Sequence, residues 1–304
     1  MAFPTTPREL RDLLERRGIR VGKKLGQHFL ADRNMLRWIA EQGELGPGDV
    51  ALEVGTGTGL LTNELAQRAG RVVTVEMDER MFELSGELLA DYDNIRRYHA
   101  DILEKRDRLN PEIIAAVKAT LGKIPRARLK VVANIPYNIS SPLIIDLLES
   151  GLPMERIVLT VQREVAERLT ALPGTRDYGY LTVIAEYHSE IDILKQIPRQ
   201  VFWPRPKVTS AVVRLLPRSE KFPLRDYDMF HAVARAIFDH RRKSLLNSLA
   251  LGKVSISDKA KLRDVLAECG LDPAGRGEGL TVERICRLAD TVFDLRGKSR
   301  ENSS

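Results

Sequence analysis

Val50-Ala51-Leu52-Glu53-Val54-Gly55-Thr56-Gly57-Thr58-Gly59 is a short apolar run that closes on three alternating glycines. A run of this length and composition reads as a buried strand. Leu60 to Ala69 follows as a helix. Strand, glycine loop and helix start in that order let backbone N–H groups approach a ligand closely. The details narrow the ligand. The dinucleotide fingerprint needs a glycine three places after its second, where this chain has Leu60. A Walker loop needs Gly-Lys-Ser/Thr, which is absent. Neither phosphate-binding pattern fits, and a dinucleotide oxidoreductase is disfavoured.

Outward from the loop, Val72 to Val75 is a second strand ending at Glu76, about twenty residues on, where an acid can accept hydrogen bonds from both ribose hydroxyls. Asp78 is placed to cap the helix Glu79 to Ala90. Ile95 to His99 is a third strand, and Asp101 just beyond it can accept from an adenine amino group. Gly55, Glu76 and Asp101 at three successive strand ends describe a nucleoside pocket without a phosphate clamp. S-adenosylmethionine fits it: the ligand has ribose and adenine, no pyrophosphate, and a cationic sulfonium suited to an oxygen-lined site.

Leu129 to Ala133 is a fourth buried strand and runs into Asn134-Ile135-Pro136-Tyr137. Ser141-Pro142 reads as the next helix start, with Ser as N-cap and Pro at the first helical position. Ligands of open α/β sheets bind outside the carboxyl ends of strands. The N6 lone pair of adenine is delocalised into the ring, so the amine is a poor nucleophile. Acceptors aimed at its two N–H groups favour a more pyramidal nitrogen; the Asn134 side chain and the Ile135 carbonyl are candidates. Pro136 stiffens the turn. The Tyr137 ring offers a stacking face worth about 1–3 kcal/mol. Phe202, in Phe202-Trp203-Pro204-Arg205-Pro206-Lys207, is expected as a second wall. Lys195, Arg199, Arg205, Lys207, Arg214 and Arg218 cross this region with no acid until Glu220, as a surface for RNA phosphates requires.

The 304 residues allow one large and one small domain, and a hydrophobic share of 43% supports a core of that size. The two cysteines, Cys269 and Cys286, have no metal-like spacing, so neither a metal site nor a disulfide framework is expected. A net charge of +6 points weakly to a polyanion. Met1 to Arg20 has no apolar signal core, and no apolar run nears the roughly eighteen residues that span a membrane. A cytoplasmic protein is expected. Pro7 to Arg17 reads as a helix, Lys23 to Leu30 as a loop, and Asp32 as the cap of a helix to Gln42. Residues 1–218 are expected as the α/β domain with a basic extension. Residues 219–304 are expected as a small all-helical domain, with helices over Lys221–Ser257, Lys259–Cys269 and Val282–Phe293 and a polar, mobile tail from Gly297. Within it, Arg241-Arg242-Lys243 is a candidate phosphate contact.

Taken together, Gly26-Gln27-His28-Phe29-Leu30, the Glu53–Gly59 loop, Glu76, Asp101 and Asn134–Ser140 resemble the ribosomal RNA adenine N6-dimethyltransferases. Phe202–Ser210 and Arg241–Asn247 resemble the small-subunit branch, the KsgA/RsmA family. The resemblance runs from about Gly18 to Phe293. It implies a class I S-adenosylmethionine-dependent methyltransferase: a Rossmann-like, seven-stranded, mostly parallel sheet with a helical C-terminal domain. The implied reaction is transfer of four methyl groups to two adjacent adenosines in the 3′-terminal hairpin loop of small-subunit rRNA. The implied partner is that rRNA or the assembling subunit, met by a monomer. By family pattern His28, Leu30, Gly55, Glu76, Asp101 and Asn134 line the cofactor pocket. The family commonly carries Asn in place of His28 and Leu in place of Ile135. The alternatives are a large-subunit adenine methyltransferase of the resistance type and a non-catalytic RNA-binding protein on the same fold.

Overall fold

Seven strands form one sheet in the computed structural model, which describes residues 3–19, 21, 27–105, 108–254, 256 and 258–301. They are β1 (Asp49–Val54), β2 (Arg71–Glu76), β3 (Ile95–His99), β4 (Arg128–Asn134), β5 (Met154–Gln162), β6 (Ser189–Ile197) and β7 (Ser210–Pro217), in the order β3-β2-β1-β4-β5-β7-β6. The five strands from β3 to β5 run parallel, and β7 is antiparallel to β5 with Ser210 opposite Gln162. Every residue of β1 is buried, the acids Asp49 and Glu53 included, which is why its apolar residues do not alternate with exposed polar ones. The strand order reverses between β1 and β4, and that reversal opens a crevice at their carboxyl ends.

Helices α1 (Pro7–Arg16), α2 (Arg33–Gln42), α3 (Leu60–Ala66), α4 (Glu79–Leu88), α5 (Pro111–Leu121) and α6 (Ser140–Glu149) belong to the same compact unit, which comprises residues 1–166 and 190–217. Asp32 caps α2 by accepting from Met35 N at 2.8 Å, and Asn110 caps α5 by accepting from Glu112 N at 2.9 Å. Helix α6 departs from expectation. A 3-10 turn over Tyr137–Ile139 leads straight into it, and it starts at Ser140. The Ser140 hydroxyl donates to Pro136 O at 3.2 Å, so it braces the turn and leaves Ser141 inside the helix.

The second compact unit comprises residues 167–189 and 218–304, so the segment before β6 groups with the C-terminal helices. It contains α8 (Tyr180–His188), α9 (Tyr227–Asp239), α10 (Leu245–Leu251), α11 (Lys259–Glu268) and α12 (Val282–Glu301); α7 (Arg163–Leu169) spans the division. Helix α9 packs on α8, α10 and α12 through buried Phe230, Val233 and Ile237. Two differences from the sequence reading stand out. The helix expected over 221–257 is two, broken at His240–Ser244, where Ser244 caps α10; Ser257 lies outside the described residues. Helix α12 continues to Glu301, past the expected end at Phe293.

Candidate functional site

A cavity of about 190 Å³ opens at the carboxyl ends of β1, β2 and β4. Its wall includes His28, Gly55, Glu76, Asp101, Asn134, Ile135, Pro136 and Tyr137. These are eight of the ten residues singled out from the sequence, drawn from five separated segments. Gly55, Gly57 and Gly59 all have left-handed backbone, at φ 82°, 54° and 80°. At Gly57 the close approach matters as well: a Cβ there would sit 3.0 Å from the Phe29 ring. The loop is therefore pressed against the wall it faces, and glycine is the residue that permits it.

The decisive side chain is Asn134. Its Nδ2 donates to the His28 carbonyl at 3.0 Å. A carbonyl can only accept, so this bond fixes which end of the amide is which. The Oδ1 atom is consequently turned away from that partner; it is buried and accepts nothing from the protein. A buried amide oxygen without a donor costs about 1–3 kcal/mol. Such an atom is a standing acceptor for a ligand N–H. Beside it, Tyr137 is held by its hydroxyl, 2.5 Å from Ser210 Oγ, and burial raises the phenol above its usual pKa. The His28 ring stacks on Tyr137 with centroids 5.2 Å apart. His28 Nδ1 lies 2.7 Å from Pro204 O and is the donor of that bond. His28 thus uses its ring nitrogen to tie the loop to Pro204.

The acids differ in exposure. Glu76 is buried and accepts from Gly57 N at 2.7 Å and Asp78 N at 2.8 Å, one on each oxygen. Burial raises its pKa, against the pull of these two backbone bonds. Asp101 is exposed at the rim and accepts from Leu103 N at 3.0 Å. Glu53, under the loop, accepts from the Thr62 hydroxyl at 2.6 Å and the Thr74 hydroxyl at 2.7 Å, and burial pushes its pKa up to about 8. Thr56 completes this network, 2.6 Å from Thr74. The sequence reading quoted Glu53 only as part of the motif; an acid inside an otherwise apolar strand was its signal.

Leu30 and Phe202 are placed differently. They face each other in a two-residue antiparallel ladder, Phe29–Leu30 against Phe202–Trp203. Their exposures are 3% and 2%, and neither lines the cavity. The ring opposite Tyr137 is His28, where Phe202 was expected. Lys23 to Gly26 lie outside the described residues. Phe29, Gly57, Met77, Asn138 and Ile139 also line the cavity. Met77, half exposed there, was missed although it directly follows Glu76. In the helical unit, Arg241 is committed internally. It pairs with Glu278 and donates to Arg176 O at 2.6 Å and Thr175 O at 2.8 Å. Arg242 and Lys243 beside it are exposed.

Residues 19–289 match the family described as ribosomal RNA adenine dimethylase. The small-subunit rRNA methyltransferase A of Moorella thermoacetica is 41% identical over 289 residues, covering 94% of this chain and 98% of that protein. Its counterpart from Geobacillus kaustophilus is 39% identical over 298 residues, covering 96% and 98%. Among solved structures, a dimethyladenosine transferase from Plasmodium falciparum superposes with a TM-score of 0.71 at 27% identity, covering 89% of this chain and 98% of that one. The 23S rRNA methyltransferase ErmE gives 0.60 at 28% identity, covering 87% and 99%.

Proposed function

Given that this chain belongs to the ribosomal RNA adenine dimethylase family, we propose that it carries out S-adenosylmethionine-dependent N6,N6-dimethylation of two adjacent adenosines in the 3′-terminal loop of small-subunit rRNA. The observation that carries the reading is the buried, unpartnered Asn134 Oδ1 on a residue that lines the cavity at the carboxyl ends of the strands. The small-subunit choice rests on relatives of that name, which match over nearly the full chain at 41% and 39% identity. The likeness to a large-subunit enzyme is weaker, at 28%.

The residues present fit the donor: Gly55, Gly57 and the Glu76 carboxylate line the cavity, and the buried, unpartnered amide oxygen of Asn134 stands beside them. When bound, S-adenosylmethionine supplies an electrophilic methyl group on a cationic sulfur. In this reading Glu76 and Asp101 hold the ribose and adenine of the donor, with Gly55 and His28 completing its walls. Asn134 Oδ1 and the Ile135 carbonyl accept from the substrate amine and free its lone pair. Asn suits this better than Asp, because a neutral acceptor does not trap the product proton. Pro136 keeps the turn stiff, and Tyr137 positions the base. Phe202 acts from behind, pairing with Leu30 and so fixing the strand before Pro204. Positioning supplies most of the acceleration. An amine attacking a sulfonium needs no Lewis acid, so no metal enters. Exposed Arg242 and Lys243 in the helical unit contact rRNA phosphates. The enzyme works as a cytoplasmic monomer.

The test is to offer purified enzyme and labelled donor each ribosomal subunit separately. Label is expected as N6,N6-dimethyladenosine in the small-subunit RNA alone. Label in the large subunit, or none in either, overturns the reading.

A further inference from the structure

A second cavity, larger than the first at about 530 Å³, adjoins it within the same compact unit and is assigned no role above. The two share three wall residues, Gln27, His28 and Tyr137. The stacked His28–Tyr137 pair is therefore a partition with one cavity on either side. Beyond it the wall is Gln162 and the Pro204–Val208 segment, with Val21.

The chemistry of this wall selects its occupant. Arg205 and Lys207 are exposed on it, and among the described residues no carboxylate lines it and neither cation has an acidic partner within salt-bridge distance. Val208, 45% exposed, gives an apolar face, and Gln27, on the partition, carries a buried Oε1 without a partner. Cations for phosphate, an aromatic partition for a base face and a free amide oxygen for a base edge are how proteins hold single-stranded RNA. The volume falls within the roughly 300–1,000 Å³ of small-ligand pockets.

We propose that this second cavity is a binding site for the nucleotide adjoining the target adenosine, its base against the partition and its phosphate on Arg205 and Lys207. The inference rests on the function proposed above. It adds that the neighbour is held in the second cavity while the target amine meets Asn134, so that the neighbour contributes to binding of the target.

The experiment pairs two RNA hairpins with two proteins. One RNA carries the natural adenosine pair; in the other the nucleotide beside the target is abasic. One protein is unaltered; the other is Val208→Trp, which fills the second cavity without touching the first. With unaltered protein, loss of the neighbouring base should raise KM for RNA about tenfold, a typical loss for one stacked base, and leave kcat little changed. In Val208→Trp the two RNAs should have the same, raised KM, because the site is already blocked. Arg205→Ala with Lys207→Ala should flatten the salt dependence of RNA binding by roughly the two phosphate contacts removed. An abasic penalty of equal size in both proteins overturns the proposal, as does an unchanged salt slope. Donor affinity measured by calorimetry checks that Val208→Trp is folded and its first cavity intact. If the unaltered protein methylates neither RNA, the reading of function has failed instead.

Discussion

The two ends of strands β1 and β4 are built on opposite rules. At the amino end, Asp49 is fully buried and fully used: it accepts from Lys130 Nζ at 2.8 Å, Arg128 Nε at 2.6 Å and Gly46 N at 2.8 Å. Burial alone would raise its pKa, but these bonds together outweigh burial and hold it below the usual carboxylate range. At the carboxyl end, Asn134 Oδ1 on β4 is left without a partner, and burial raises the pKa of Glu53 on β1 and of Glu76 at the end of neighbouring β2. One end satisfies its polar groups within the protein; the other leaves an amide oxygen for a ligand to complete. The difference separates residues that maintain the sheet from residues that use it.

The largest expected effect tests the closed end. Asp49→Ala leaves the Lys130 ammonium, 6% exposed, with the Glu44 carbonyl as its remaining partner. Breaking a buried pair from one side costs about 3–5 kcal/mol. Thermal denaturation should show that loss, while the transfer rate per folded molecule stays near that of the unaltered protein. A fall in rate with no fall in melting temperature would dissolve the distinction between the ends.

The open end should give the reverse. In the proposed mechanism Asn134→Ala removes an acceptor for the substrate amine, and by analogy with deletion of one preorganised hydrogen-bonding group should lower kcat by about 10²–10³. It also removes an unpaired buried oxygen, so stability should hardly fall. Single-turnover transfer under saturating donor reads the first effect and a melting curve the second. Glu76→Gln should act more mildly and on binding. The amide loses one of the two acceptor oxygens that serve Gly57 and Asp78, and donor affinity by calorimetry should weaken about tenfold, the size of one hydrogen bond to a charged group. Unchanged affinity would remove Glu76 from the donor site.

Much of this contrast was legible in the chain. The strands declared themselves by buried apolar runs, and the site acids by standing at strand ends. What escaped was set by contacts distant in sequence. The amide of Asn134 is oriented by a carbonyl 106 residues away. Phe202 has the right chemistry for a base wall, but pairing with Leu30 across the chain turns it into the core. Arg241 looks like its neighbours Arg242 and Lys243 until Glu278 and two carbonyls of the 175–176 segment claim it. The start of α6 moved because Ser140 found a backbone acceptor in the preceding turn. Residue type and spacing carry chemistry; which atoms are left free is decided by tertiary hydrogen bonds that no local pattern encodes.

The smallest effect sharpens the comparison through pH. Glu53 ionises near pH 4.5 in an unfolded chain and at about 8 beneath the glycine loop. Between those values the folded protein holds a proton that the unfolded chain has released, so stability from this group falls as pH rises and levels off above the upper value. Asp49 has the opposite sign: its pKa is lowered on folding, so its contribution is lost only as pH falls toward acid. Gln at position 53 is uncharged at every pH and keeps an oxygen for Thr62 and Thr74. Any fixed cost of placing its NH₂ group cancels when the melting-temperature difference between Glu53→Gln and unaltered protein is followed across pH. That difference should be flat below about 4.5, climb in favour of the variant up to about 8, and reach a gain of a few degrees. A flat difference throughout would mean that Glu53 ionises as an ordinary carboxylate. The ground under the glycine loop would then belong with the closed end of the sheet.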